Sequence, residues 1–285
     1  MRQTVLNKLL LACASCSLAA CGGGGGGSGV PSFPAPPLPP PNFVKIFPSV
    51  TTTTDFAVLG YVESGSTVTG DGFAVRYDAS KGAYLITTPG FLPGEFDATA
   101  ETATTWFGGW ADILKPKPAN PAANFEHTTL AIHYACPWEC YVGGAFAFGT
   151  ATLQAAVPTT GSATYDAIVS GVALDSGSTV GGTASLQFDF GLVTLSGAFN
   201  PVIQTGGTPT SLGQYNFVNT VWGVGSPTFS GSLQHNAVSG LGSFNGLFTG
   251  PAAQELMARW KAPYVSPGTN ASSEIFGVWI GRKCC

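Results

Sequence analysis

The chain has 285 residues, of which 9% are charged, 44% hydrophobic and 12% aromatic, and its formal net charge is −4. So much apolar and aromatic content excludes a disordered chain, which fails to bury enough surface to offset its ordering entropy. The lack of any Lys/Arg run excludes a nucleic-acid-binding surface, which needs a basic patch against the phosphates.

Between Phe190 and Gln254 there is no Asp, Glu, Lys or Arg. Ser, Thr, Asn, Gln and Gly must make most of the polar surface there. Helical surfaces draw on Glu and Lys, which are good helix formers, so this composition points to sheet.

Met1 to Ala20 reads as a leader, with Arg2 and Lys8 before an apolar core from Leu9 to Ala14. It ends in Leu18-Ala19-Ala20-Cys21, the pattern of a bacterial lipobox, with small residues for the peptidase and a thiol to take the diacylglycerol. An ordinary secretory signal also carries small residues before its cut. Lipidation of Cys21 is the expectation, because the following segment is what a tethered protein needs. Acyl chains contribute about 0.8 kcal/mol per buried methylene, so a multiply acylated cysteine holds a protein to a bilayer without a spanning helix. Gly22, where inner-membrane retention signals place Asp, directs the expectation to the outer membrane. Removal of the leader would bring the net charge to −6. Gly22 to Gly27 has no preferred conformation, and the seven prolines from Pro31 to Pro41 favour an extended polyproline II run. At about 3.1 Å per residue that run spans roughly 30 Å. Residues 21–42 thus read as a Gly/Pro-rich tether with too little apolar content to order itself.

From Phe43 on, the expected class is all-β. In residues 43–157, Gly72–Tyr77 and Ala83–Thr88 flank Asp78-Ala79-Ser80-Lys81-Gly82, which is turn chemistry. Other strand expectations are Phe56–Val62, Thr104–Trp110, Thr128–Ala135 and Ala145–Ala151. Loops are expected over Pro89–Ala98 and Lys115–Ala123. In residues 158–285, short alternating runs occur at Ala163–Val169, Ala184–Phe190, Val193–Phe199, Tyr215–Val218, Thr228–Leu233, Ser243–Phe248, Leu256–Trp260 and Ile275–Ile280. Eight turn-separated strands fit a small closed antiparallel barrel, which also removes exposed edges. A two-sheet sandwich gives the same periodicity.

Four segments of this second part resemble the β-barrel domain of the transferrin-binding protein B-like family of solute-binding surface lipoproteins. They are Thr160-Gly161-Ser162-Ala163-Thr164-Tyr165; Leu186 to Gly191 with Val193 to Gly197; Gly246-Leu247-Phe248-Thr249-Gly250-Pro251-Ala252-Ala253-Gln254-Glu255; and Ile275 to Lys283. The resemblance covers Thr160 to Lys283, with Tyr165, Gly250, Pro251 and Glu255 as its structural motif positions. It implies an eight-stranded barrel preceded by a handle-like β-sheet, a lipidated N-terminus, and capture of a protein or haem-type ligand outside the cell through variable loops. The chain departs from the pattern in having one lobe and in ending Gly281-Arg282-Lys283-Cys284-Cys285.

His127, His133, Cys136 and Cys140 fall within a short span, the residue types and spacing that a metal site or a disulfide would use. On one continuous strand His127 and His133 share a face while Cys136 points the other way. After export, a disulfide drawn from Cys136, Cys140, Cys284 and Cys285 is the expected use, and no metal or cofactor is expected. The loop carrying Trp138 and Tyr141 is the expected ligand-binding loop, since an aromatic on a short closed loop offers contact area at low entropic cost. Its rival is a Trp138 packed into the first sheet; Trp106, Phe107 and Trp110 carry the same two readings. His127, His133 and His235 are the available haem ligands. No nucleophile elbow, zinc-protease motif or phosphate loop is present, and Asp166, Asp175, Asp189 and Glu255 stand singly, so no enzyme is expected. The expected function is an outer-membrane surface lipoprotein that binds a protein or haem-type ligand. The alternatives are a structural envelope lipoprotein, a periplasmic barrel protein or a membrane-embedded barrel, whose strands need about 9–11 residues and an apolar outer band.

Overall fold

The computed structural model describes residues 47, 49–64, 67–90, 94–97, 105, 106, 109–113, 125–135, 141–205 and 208–284. The leader, Cys21, the tether, the Lys115–Ala123 loop, Phe107, Cys136, Trp138, Cys140 and Cys285 lie outside the described residues. The described chain is all-β, with one short 3-10 turn at Gln154–Ala156.

The first sheet contains β1 (Thr54–Ser64), β2 (Thr67–Thr69), β3 (Ala74–Asp78), β4 (Ala83–Thr87), β5 (Gly94–Asp97), β6 (Thr105–Trp106), β7 (Gly109–Ile113), β8 (Thr128–Ala135) and β9 (Tyr141–Gly149). Its order is β5-β4-β3-β1-β9-β8-β7-β6, with β2 paired to β1, and every pairing is antiparallel. The Asp78–Gly82 turn forms as its chemistry dictates, with Asp78 accepting hydrogen bonds from the Ser80 amide and hydroxyl. Tyr77 then faces Tyr84 across the hairpin. Two readings need correction. Pro89–Ala98 is not loop throughout, because Gly94–Asp97 pairs with β4 as an extra edge strand. Thr104–Trp110 is not one strand but the hairpin of β6 and β7.

The second sheet contains β10 (Ser162–Ala173), β11 (Thr179–Asp189), β12 (Thr194–Thr205), β13 (Thr208–Ser211), β14 (Tyr215–Trp222), β15 (Thr228–His235), β16 (Gly242–Thr249), β17 (Glu255–Val265) and β18 (Ser272–Lys283). Pairing of β11 with both β10 and β12 closes eight of these strands into an antiparallel barrel, and β13 adds to the rim of β12. Closure decides between barrel and sandwich. The strands run longer than the alternating runs that announced them, up to 12 residues in β10, β12 and β18. Strand length therefore gives no argument against a membrane-embedded barrel, but side-chain placement does. The inward positions hold Tyr165, Phe188, Phe199, Tyr215, Phe229, Phe244, Phe248, Trp260 and Trp279, all buried. Outward positions of β15 and β16 carry Thr228, Ser230, Ser232, Gln234, Ser243 and Asn245, with Leu247 packed against the seam to the first sheet. A membrane-spanning barrel has the reverse distribution.

The first sheet lies against the outside of the barrel, and its alternation shows how. In Ala145-Phe146-Ala147-Phe148 of β9, the alanines join Leu130, Met257, Val278 and Ile280 in the seam between the sheets. The phenylalanines turn away and build a second core with Phe47, Phe56, Val75, Tyr77, Tyr84 and Ile86. Ile132 meets Val172 and Phe276 farther along the seam. Small side chains on one face let the sheets approach, and large ones on the other fill the curl of the first sheet. Strands covered on both faces lose the alternating pattern. That is why Ile275 to Ile280 is one unbroken apolar run and is wholly buried.

Trp279 sits at the centre of the barrel, with Phe199 and Phe244 each 5.6 Å and Phe217 5.7 Å away between ring centroids. Trp279→Ala should cost about 3–5 kcal/mol of stability, as for other buried large aromatics. A urea denaturation midpoint within error of the parent would contradict this packing.

Candidate functional site

The antiparallel connectivity sorts the barrel's connections to two ends. Turns 190–193, 223–227 and 250–254 lie at the end where β10 begins, called here the near end. Turns 174–178, 236–241 and 266–271 lie at the far end, with β13 and its flanks. The near end is bound to the first sheet; the far end carries the longer loops.

The near-end joint is built from the segment Thr249 to Glu255. The Glu255 carboxylate, 5% exposed, accepts hydrogen bonds from the backbone amides of Glu126 at 2.8 Å and His127 at 3.0 Å. These amides precede β8 in the other sheet, and the carboxylate supplies the acceptor for both. Burial pushes the Glu255 carboxyl pKa up, while the two amides, the His127 imidazole and the Thr128 hydroxyl pull it back. The Thr128 and Thr249 hydroxyls are hydrogen-bonded across the joint. The Gly250 amide donates to the Thr150 carbonyl at 2.9 Å, and the Thr152 hydroxyl donates to the Gly250 carbonyl at 2.7 Å. Gly250 has a φ of +83°, and a Cβ there would fall 2.5 Å from His127 Cδ2 and 2.6 Å from Gln254 Oε1. Only glycine fits both constraints. Pro251 caps this turn in solvent. Tyr165, fully buried, donates its hydroxyl to the Ala253 carbonyl at 2.5 Å and so ties the first barrel strand to the same turn.

All four motif positions thus gather at one turn, and three of them fasten the joint. The amides that Glu255 satisfies belong to the chain leading into the other sheet. Asp189 also uses its carboxylate locally, accepting from the amides of Gly191 at 3.0 Å and Leu192 at 2.8 Å. Sequence reasoning missed Arg259. Its Nη1 donates to the Gly70 carbonyl at 2.6 Å and lies 3.4 Å from Asp71 Oδ1, while its guanidinium covers the Tyr61 ring at 5.3 Å. The available signal was a lone Arg inside the apolar Leu256–Trp260 run.

The histidines do not converge. His127 lies at the near-end joint. His133 is fully buried beside the β8–β9 bulge. His235 packs on Tyr215 at 4.8 Å, and its Nδ1 accepts from the Ala237 amide at 3.1 Å at the far end. Among the described residues no group of three His, Cys, Asp or Glu side chains is placed to hold a metal. At the far end the Tyr264 hydroxyl donates to Asp175. Burial pushes the Asp175 carboxyl up, but hydrogen bonds from Tyr264, Ser266 and Ser176 outweigh it and hold the pKa below the ordinary value.

The expected binding loop closes the β8–β9 hairpin. Ala135 pairs with Tyr141 at its end, and the connecting residues 136–140 lie outside the described ones. β8 starts at the joint with Glu255 and passes Leu130 and then Ile132, which meets Val172 near the end of β10. The hairpin therefore leads away from the near end toward the far-end loops. Of the cysteines named for a disulfide, Cys284 is described, and its amide donates to the Thr164 carbonyl at 2.8 Å.

Two outcomes test this site. Glu255→Ala orphans two amides and should cost about 2–4 kcal/mol, read from chemical denaturation at neutral pH. The His133 pKa is pulled down to about 4 by burial. Its folded value lies below its unfolded one, so stability is held above pH 6.5 and lost as the pH falls from there toward 4, by about 3 kcal/mol for full protonation. His133→Gln should remove that acid limb; an unchanged pH profile would contradict the burial.

No family model and no curated protein sequence matches the chain. Solved structures similar to it include a double mutant of transferrin-binding protein B from Haemophilus parasuis, 14% identical with a TM-score of 0.49, over 80% of this chain and 44% of that one. Another is the isotype 1 transferrin-binding protein B from serogroup B Neisseria meningitidis, 14% identical with a TM-score of 0.46, over 80% of this chain and 43% of that one. A surface lipoprotein is 12% identical with a TM-score of 0.40, over 81% of this chain and 98% of that one. The chain thus spans a little under half the length of the two transferrin-binding protein B structures. At these identities and scores none of them assigns a family or a ligand to this chain.

Proposed function

We propose that this chain is an outer-membrane surface lipoprotein, anchored through Cys21, that binds a protein ligand outside the cell with the loops at the far end. In this reading residues 1–20 are removed and 21–42 form the tether. Residues 43–157 form a handle sheet, and 158–285 form the barrel. The observation that carries it is the arrangement of the two sheets. A rigid joint at one end leaves the β8–β9 hairpin and the longer barrel loops directed to the other. Loops held on a filled, rigid scaffold are where binding residues concentrate, because the scaffold bears the ordering cost. Trp138 and Tyr141 are the contact residues of this proposal, and a Cys136–Cys140 disulfide would close their loop. The remaining pair, Cys284 and Cys285, would stay at the near end. Binding is favoured over catalysis because Glu255, Asp189 and Asp175 spend their carboxylates on structural hydrogen bonds.

Protease treatment of intact cells should degrade the protein; full resistance would move it to the periplasm. A pull-down with the mature chain against host serum proteins should retain a partner. Trp138→Ala should weaken that binding by at least tenfold, corresponding to about 1.4 kcal/mol or more. Equal retention by Trp138→Ala would remove the loop from the interface, and a haem absorbance shift without a protein partner would move the ligand to the haem type.

A further inference from the structure

Among the described residues, the most exposed large aliphatic side chains gather at one end of the barrel. Leu153 is 77% exposed, Leu192 75%, Val221 67% and Val224 64%, and all four lie at the near end; far-end Leu241 and Val265 are less exposed, at 54% and 38%. Leu192 lies in the β11–β12 turn and Val224 in the β14–β15 turn. Phe190 and Trp222, with ring centroids 5.2 Å apart, bring these two turns together from inside the barrel. Leu153 belongs to the segment that crosses from β9 to β10, where the Thr152 amide donates to the Phe248 carbonyl at 2.9 Å. The same segment passes the β14–β15 turn, with Thr159 within reach of Gly225. Single exposed leucines need no explanation, but a cluster of them on adjoining turns marks a contact surface.

The path of the chain identifies what that surface touches. Phe47 packs on Phe56 at 5.0 Å and Phe148 at 5.7 Å. Phe148 stands two residues before Thr150, whose carbonyl accepts from Gly250 in the near-end turn. The chain that leads from Cys21 therefore enters the fold beside the near end. We infer that the near end rests on the bilayer surface, with Leu153, Leu192, Val221 and Val224 set among the lipid headgroups. This rests on the proposed lipid anchor at Cys21 and adds an orientation to it: near end down, with the β8–β9 hairpin and far-end loops outward. Charge does not drive the contact. Exposed Arg282 at this end lies opposite exposed Asp166 on the neighbouring strand. The contact is apolar and should persist in high salt, unlike an electrostatic one.

The test uses the lipidated protein on vesicles of phosphatidylethanolamine and phosphatidylglycerol, compared with an unlipidated mature chain beginning at Gly22 in buffer. Labelled palmitate incorporation that is lost in Cys21→Ala, with flotation of the lipidated protein, establishes the anchor separately. Amide hydrogen exchange is then followed by mass spectrometry. On vesicles the turns 190–193 and 223–227 should exchange severalfold more slowly, at low and high salt alike, while 236–241 and 266–271 are unchanged. Leu192→Ser combined with Val224→Ser should abolish the protection and leave flotation intact. Flotation without near-end protection overturns the orientation and leaves the anchor standing; absence of palmitate and flotation removes the anchor itself. Protection that appears in the unlipidated chain and grows with its concentration assigns the surface to a second copy and overturns the inference, as does equal protection at both ends.

Discussion

A carboxylate buried between two sheets is the constraint on which this structure depends. Glu255 opens β17 of the barrel and closes two backbone amides in the chain just ahead of β8. Apolar contact alone is non-directional and would allow the sheets to slide. Two charge-assisted hydrogen bonds to adjacent amides fix both translation and angle. The cost of desolvating the carboxylate, visible in its raised pKa, is reduced in part by those amides, the His127 imidazole and the Thr128 hydroxyl.

Around that joint the two sheets divide the apolar side chains by size. The barrel interior takes Trp222, Trp260, Trp279 and a set of phenylalanines around Phe188 and Phe244, and the curl of the first sheet takes a second aromatic cluster. Alanine, leucine, valine and isoleucine fill the seam between them. With so few charged groups, closure of the barrel removes the edges at which its own strands could pair astray. Arg259 adds a polar fastening at the other end of the seam, where it reaches Gly70 and Tyr61.

Much of this was legible in the sequence. The eight alternating runs after Ala163 all became barrel strands, and the four segments carrying the family resemblance fall in order within that barrel. Thr128–Ala135 coincides with β8, and the Asp78–Gly82 turn forms as expected. The end of β10 was underestimated because both faces of Ser170 to Ala173 are buried where the first sheet covers the barrel, and a doubly buried stretch shows no alternation. Gly94–Asp97 escaped notice because a short edge strand next to Pro93 lacks a pattern long enough to read. The partners of Glu255 were out of reach for another reason: Glu126 and His127 are 129 and 128 residues away in sequence, and only the folded register brings them together.

The central claim is that the Glu255 joint makes the two sheets one cooperative unit. Differential scanning calorimetry of the mature chain tests it most directly. A single transition with equal calorimetric and van't Hoff enthalpies is predicted, splitting or broadening in Glu255→Ala as the first sheet melts ahead of the barrel. Two separate transitions already present in the parent protein, unmoved by the substitution, would contradict it.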